Sequence, residues 1–205
     1  MSAKSEFFHK ALTQSGHLSC KYSDLKRRLA LSFPNNPKKY NAEESSFIKN
    51  VESLRDLSWW ALSSDPVEAS EQGYLVVLGS KTATASLLRW FTDEGHPLPV
   101  PGTISCLTDR FQNPIAKVEI TAVEVKPFGQ IDLAFAKKCA IGNRTLETWR
   151  EEHLKKFSPF LAVSEETEIV CCSFKVIETL DWAYFNPMPS HKFKSTSAID
   201  LKIEI

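Results

Sequence analysis

Apolar residues recur at spacings of three and four from Phe47 through Val51, Leu54 and Leu57 to Ala61, and this period predicts an amphipathic helix within residues 43–62. Acids at its start, Glu43 and Glu44, suit the positive end of a helix dipole. The stretch before it, "SFPNNPKKYN" (32–41), is rich in turn formers and reads as a linker. A second helix is bounded at both ends. Asp65 can cap it, Pro66 fits its first position, Glu68 follows the cap by three residues, and Gly79 is a natural stop.

Beyond Gly79 the period changes to that of strands. "TATAS" (82–86), "GTISCLTD" (102–109) and the alternating "IAKVEITAVEV" (115–125) read as strands, with "RFQNP" (110–114) a loop and "KPFGQ" (126–130) a break. A helix is predicted over 145–157, with Leu146, Trp149, His153 or Leu154, and Phe157 on one side. "EIVCCSFKVIE" (168–178) supplies another strand with Val170, Cys172, Phe174 and Val176 on one face. The tail is irregular until a last alternating run, "IDLKIEI" (199–205). Helices early and strands late predict an α+β fold built on a small barrel or twisted antiparallel sheet.

Composition removes several alternatives. With 205 residues, 42% hydrophobic and 24% charged, the chain can bury a sizeable core and is not disordered throughout. Its apolar runs, such as "YLVVL" (74–78), are too short to span a bilayer, and the first residues hold no apolar leader segment. Five cysteines include an adjacent pair, Cys171 and Cys172, but no C-x-x-C spacing. That argues against a disulfide framework or a cysteine-ligated zinc, and for a reducing compartment: cytoplasmic, with a nuclear location the alternative.

Charge adds an asymmetry that the zero net value hides. Residues 1–42 carry eight Lys/Arg against two acids, a surplus of +6 that the remainder balances with −6. A basic segment on an acidic body suits phosphate neutralisation, as in nucleic-acid binding, or docking on the body's own acidic surface.

Candidate chemistry centres on "LGSKTATASLLRW" (78–90), with one Lys and four hydroxyl residues behind a Gly. In a regular strand Thr82, Thr84 and Ser86 share one face and Lys81 the other. Lys81 and Thr84 therefore converge only if Lys81 lies in the helix-to-strand turn or its stem bends around, and Gly79 favours such a turn. There an ammonium could hold a phosphate or a developing oxyanion, and could activate a Thr hydroxyl that is otherwise a poor nucleophile. No base is evident; Glu119, Glu124 and Glu147 are the nearest carboxylates in sequence. The alternative is a solvated Lys in ordinary Thr-rich strand material. Trp90 and Phe91 could stack on a base or pack in the core, and Arg89, Arg110 and Arg150 could contact phosphate. Trp59 and Trp60 would seat the N-terminal helix on the body.

The pieces Gly79-Ser80-Lys81-Thr82-Ala83-Thr84-Ala85-Ser86 (G-x-K-x-x-T), Glu94-Gly95-His96-Pro97-Leu98-Pro99, Ile120 to Phe128, and Asn143 to His153 occur here in order. Together, over roughly residues 45–178, they resemble the ASCH domain (activating signal cointegrator homology), above all its small stand-alone members. The resemblance implies a PUA-like small β-barrel with flanking helices and a cleft suited to RNA or modified nucleosides. It divides the chain into a basic extension (1–42), an ASCH domain (43–180) and a C-terminal extension (181–205). Some members are amidohydrolases on N-acylated cytidine, in which the motif's Lys and Thr act with a Glu after the central strands; others are ribonucleases. Lys and Thr carry over to Lys81 and Thr84. The Glu has no counterpart: where small members are commonly acidic, this chain reads Lys137-Lys138-Cys139-Ala140-Ile141-Gly142-Asn143.

The leading expectation is a module that binds RNA or a modified nucleoside through Lys81, Thr82, Thr84, Ser86, Arg89 and Trp90. The alternatives are a hydrolase using Lys81 and Thr84, with Glu124 as the candidate carboxylate, and a non-catalytic module contacting protein partners through its extensions. No cofactor or metal site is expected; for a hydrolase a divalent metal stays open.

Overall fold

The computed structural model describes residues 5–109 and 113–180. Arg110, a candidate phosphate contact, and the alternating run at 199–205 lie outside the described residues.

Three helices open the chain: α1 (Glu6–Gln14), α2 (Gly16–Ser32) and α3 (Pro37–Glu52). Ser15 ends the first and caps the second, its side chain accepting from the Leu18 amide. The segment read as a linker is mostly helical, because Asn36 caps α3 and Pro37 occupies its first turn. That helix also stops at Glu52, nine residues before the apolar period runs out. Leu54 and Leu57 instead pack from a turn, and Ser58–Trp60 forms strand β1.

The expected second helix is α4 (Pro66–Val77). Asp65 accepts from the Val67 and Glu68 amides, and Gly79 takes a φ of +70° just beyond the last turn. Strand β2 (Ala83–Leu87) runs into a short helix α5 (Leu88–Thr92), followed by β3 (Ile104–Thr108) and the long β4 (Pro114–Pro127). A 3-10 turn (Phe128–Gln130), α6 (Leu133–Cys139), α7 (Leu146–Phe157) and β5 (Glu168–Thr179) complete the described chain. Neither α5 nor α6 follows from the apolar period; each is too short to express one.

The strands form a five-stranded sheet in the order β1-β3-β4-β5-β2, curled into a half-barrel; β1 pairs with β3 in parallel and the other pairs are antiparallel. The fold is α+β, as the resemblance implies. Register shifts in β4 at Lys117/Val118 and at Ile120/Ala122 add twist where the ribbon must bend.

Both sheet faces are covered. On one, Ala83, Ala85 and Leu87 of β2 and Ile169 and Cys171 of β5 meet Trp149 and Phe157 of α7. On the other, Cys172 and Phe174 of β5 and Val118 and Ile120 of β4 pack with Leu62 and with Val76 of α4. Strand β5 is therefore apolar on both sides around residues 169–174, where alternation marks one. Helix α4 can lie this close because Gly73 faces β4: a Cβ there would stand 2.6 Å from Ile115 Cδ1.

The N-terminal helices have a core of their own that merges with the sheet edge. Phe8, Leu18, Tyr22 and Val51 bury Cys106 of β3 and Leu180. The Ser15 hydroxyl donates to Asn113 Oδ1 and the Ser5 hydroxyl to Glu52. The two tryptophans divide their work: Trp59 packs on this helical core, and Trp60 meets Phe174 edge-to-face at 5.9 Å on the other.

Candidate functional site

Leu75 anchors the turn that makes the site. Its carbonyl accepts from both Ser80 N (2.8 Å) and Lys81 N (3.0 Å), and Gly79 supplies the left-handed residue between helix and strand. Strand β2 begins only at Ala83, so Lys81 belongs to the turn rather than to the pleat. It therefore reaches the same cleft as Thr84, two residues into the strand.

That cleft encloses about 380 Å³. Its inner wall is Lys81 and Thr84, with Leu62 beside them. Helix α4 contributes Glu68 and Gln72, one turn apart, and the loop after α6 contributes Ile141. Helix α7 forms the far wall with His153, and the rim with Glu152, Lys155 and Lys156. Thr145 caps α7 by accepting from Thr148 N, while Trp149 and Phe157 hold its inner side in the core.

Lys81 is the main electrostatic feature. It is 3% exposed, and its ammonium donates to the Cys139 carbonyl at 2.7 Å. Burial pushes its pKa down to about 8; Lys156 acts in the same direction, while Cys139 and Glu68 oppose it. The Cys139 carbonyl is aimed by Ala140, which holds the left-handed φ of +53° at the end of α6.

His153 is as deeply buried, 3% exposed, and stacks on Trp149 with ring centroids 3.9 Å apart. Its Nδ1 lies 2.8 Å from the Trp149 carbonyl, an acceptor, so Nδ1 carries the proton. Burial drives its pKa to about 3. The ring is thus neutral at pH 7, and Nε2 is a bare acceptor.

Two carboxylates, Glu68 and Glu152, line the cleft, and Glu68 acts on the Lys81 charge. Ser63 donates to its Oε2 at 2.5 Å, and no donor serves Oε1 among the described residues. Gln72 Oε1 is buried without a donor. Across the cleft, Glu152 pairs with Lys155 at 2.6 Å.

The other residues singled out by sequence lie elsewhere. Thr82 is half-buried in the backbone ladder, its N–H donating to Lys138 O and its carbonyl accepting from Phe174 N. Ser86 faces the same side as Thr84 but sits two residues further along, opposite Val170 and outside the cleft lining. Arg89 is exposed and paired with Asp93. Trp90 packs edge-to-face on Phe157 and Phe160, each at 5.5 Å. Arg150 donates to the Gly129 carbonyl at 3.0 Å. None of the three carboxylates nearest in sequence reaches the cleft: Glu119 pairs with Lys175, Glu124 with Lys126, and Glu147 is exposed in the first turn of α7. Glu68 escaped notice because its capping position already accounts for it locally. The signal for it is the Glu68/Gln72 spacing, two polar side chains one turn apart beside the buried stripe Ala69, Gly73 and Val76. Among the described residues no cluster of His, Cys, Asp or Glu could hold a metal ion, and no helix is long and apolar enough to cross a membrane.

Two solved structures are similar to this one in fold. The ASCH domain from Lactobacillus crispatus JV V101 aligns with a TM-score of 0.54 and 26% identity, over 62% of this chain and 84% of that one. A protein from Enterococcus faecalis V583 aligns with a TM-score of 0.55 and 27% identity, over 67% of this chain and 94% of that one. No curated protein matches. The ASCH domain family model matches residues 58–178, which takes in β1 through β5, the Lys81 turn and every wall of the cleft. The chain belongs to the ASCH domain family.

Proposed function

We propose that this protein binds RNA or a modified nucleoside in the cleft between α4, β2 and α7. One observation carries the reading: Lys81, a buried cation, opens with Thr84 into a cleft of about 380 Å³, large enough for a nucleoside. A buried ammonium is costly unless something needs it, and the Cys139 carbonyl takes only one of its three protons. Lys155 and Lys156 at the rim would meet a phosphate backbone entering from solvent. In this reading residues 1–42 are a basic extension that lengthens the footprint, residues 43–180 are the domain proper, and 181–205 are a C-terminal extension.

Fluorescence anisotropy with short single-stranded RNAs tests the reading, alongside calorimetry with free nucleosides. Binding is expected to weaken as salt rises, and Lys81→Met is expected to reduce it at least tenfold. Salt-insensitive binding, or an affinity unchanged by Lys81→Met, would count against it.

A second reading, a hydrolase of N-acylated nucleobases or RNA, is favoured by Glu68. A carboxylate shares the cleft with Lys81 and Thr84, even though the loop that is acidic in small relatives presents Ile141 here. Lys81 would stabilise developing charge, Thr84 would attack or position water, and Glu68 would take the proton. Turnover of N-acetylcytidine that is abolished in both Thr84→Val and Glu68→Gln would support it. Inert purified protein, with and without divalent metal, would sink it.

A further inference from the structure

From Leu25 to Ala42 the chain carries five Lys/Arg and no Asp or Glu. The fold gathers these cations at one place. Helices α2 and α3 run antiparallel about the turn at 33–36: Tyr22 stacks on Phe47 with ring centroids 5.6 Å apart and donates to Glu44 at 2.5 Å. The end of α2 therefore meets the start of α3. Lys26, Arg27 and Arg28 in the last two turns of one helix and Lys38 and Lys39 in the first turn of the other share the hairpin tip, and all five are exposed. Arg27 pairs with Asp24 at 3.0 Å; among the described residues no acid meets the other four. Stability does not account for the cluster. Lys38 and Lys39 sit at the positive end of the α3 dipole, where acids are favoured and none is present. The module holds the body through apolar residues, Phe8 and Val51 against Cys106, which leaves the charged tip in solvent.

We infer that this hairpin tip docks on the phosphate backbone of an RNA duplex. A duplex presents a dense, fixed array of phosphates, and cations held on two packed helices meet it with little further ordering. Sites for single strands instead stack unpaired bases on open aromatic rings. Here the rings are withdrawn: Tyr22 is buried, Tyr40 is half-buried, and Phe33, also half-buried, lies 5.8 Å from the Lys39 ammonium. A membrane surface asks for an apolar face, and the tip exposes one large apolar side chain, Leu31, at 80%. Contact through phosphates alone carries no base preference, so docking is independent of sequence. The family match begins at residue 58, which leaves the tip outside the shared domain. The inference rests on the footprint role given above to residues 1–42, and it names the residues and the partner; it does not require the cleft to be occupied.

Anisotropy titration of the full chain with a labelled RNA duplex of about 20 base pairs, at several salt concentrations, is the test. With four cations on the backbone, affinity should fall on the order of a hundredfold between about 50 mM and 200 mM salt. A variant carrying Lys26→Gln, Arg28→Gln, Lys38→Gln and Lys39→Gln should bind at least tenfold more weakly at about 50 mM salt and lose most of that salt dependence. The milder pair Lys38→Gln and Lys39→Gln, which guards against a folding defect, should lose about half of it. Duplexes of unrelated sequence should bind equally. In a Lys81→Met background, which silences the cleft, the duplex should bind as before and a single strand of the same length more weakly. Absence of duplex binding, duplex binding indifferent to all four substitutions, or a single strand bound as tightly as the duplex in that background overturns the inference. Capture by phosphatidylserine vesicles without duplex binding overturns it too, and makes the tip a membrane contact. Lys81-dependent binding of single-stranded RNA with no duplex binding removes this inference and leaves the cleft reading standing. Tip-dependent duplex binding with no ligand in the cleft does the reverse.

Discussion

The Lys81 ammonium donates to the Cys139 carbonyl at 2.7 Å, across 58 residues of chain. That bond ties the helix-to-strand turn to the end of α6 and fixes where the buried charge sits. It does not offset the whole cost of burial, which is why the pKa falls to about 8.

The first prediction concerns alkaline pH. The Lys81 pKa is lower folded (about 8) than unfolded (10.5), so the unfolded chain binds the extra proton between those values. The cost to folding is complete below pH 8, about 3 kcal/mol at 1.36 kcal/mol per unit. It is relieved as pH rises toward 10.5. Cys106 and Cys171, pushed up to about 12, and Cys172, pushed up to about 11, act in the opposite sense above pH 9. Comparison with Lys81→Met cancels these three cysteines, and a Cys139→Ala background in both proteins removes the buried thiol that does sense Lys81. Wild type should gain on the variant in urea unfolding free energy between pH 8 and pH 10.5, and a constant difference would refute the shift.

Acid should act through His153. Its folded pKa of about 3 lies below the unfolded 6.5, so the unfolded state takes up the proton first as pH falls. The stability of the neutral buried ring is full above pH 6.5 and declines by about 1.4 kcal/mol per unit below it. His153→Gln should flatten this slope in urea titrations between pH 6.5 and pH 4. Equal slopes in the two proteins would show that His153 is not the group responsible.

Ala140 holds a φ of +53° at the end of α6, where an L side chain is strained and Gly is not. Ala140→Gly should therefore stabilise the protein by about 1 kcal/mol, read as a raised denaturant midpoint at unchanged slope. The Cys139 carbonyl should keep its aim at Lys81, so the Lys81 pKa, followed by NMR of its Cε resonance, should stay near 8.

The N-terminal helices should be integral to stability, not an optional arm. Phe8 is fully buried against Tyr22 and Phe47 in the core that covers Cys106. Phe8→Ala should cost about 3–5 kcal/mol. In a Cys20→Ser background, which removes the exposed thiol, it should also speed labelling of Cys106 by a thiol reagent. A small change in stability with Cys106 still protected would mean that the helices merely rest on the sheet.

Much of this architecture was legible in local pattern. Asp65, Pro66 and Gly79 bound α4 through backbone chemistry that acts within a few residues, and alternation marks β4 and β5 because one pleat face must be apolar. The linker reading of residues 32–41 gives way for a local reason: "PKKYN" looks like a turn until Asn36 and Pro37 are seen as cap and first residue of a helix.

The sequence by itself determined α4, α7, strands β2 to β5 and the α+β class, and favoured the turn that frees Lys81 from the strand pleat, since each depends on short-range sterics and hydrogen bonding. Only the tertiary structure decided what Lys81 faces. The Cys139 carbonyl, Glu68, Gln72 and His153 come from three other segments, brought together by burial of Trp149 and Phe157 on one sheet face and by the close approach of Gly73 to Ile115 on the other. Packing of that kind is long-range and shape-dependent, so a carboxylate that locally reads as a helix cap could become the acidic wall of the cleft.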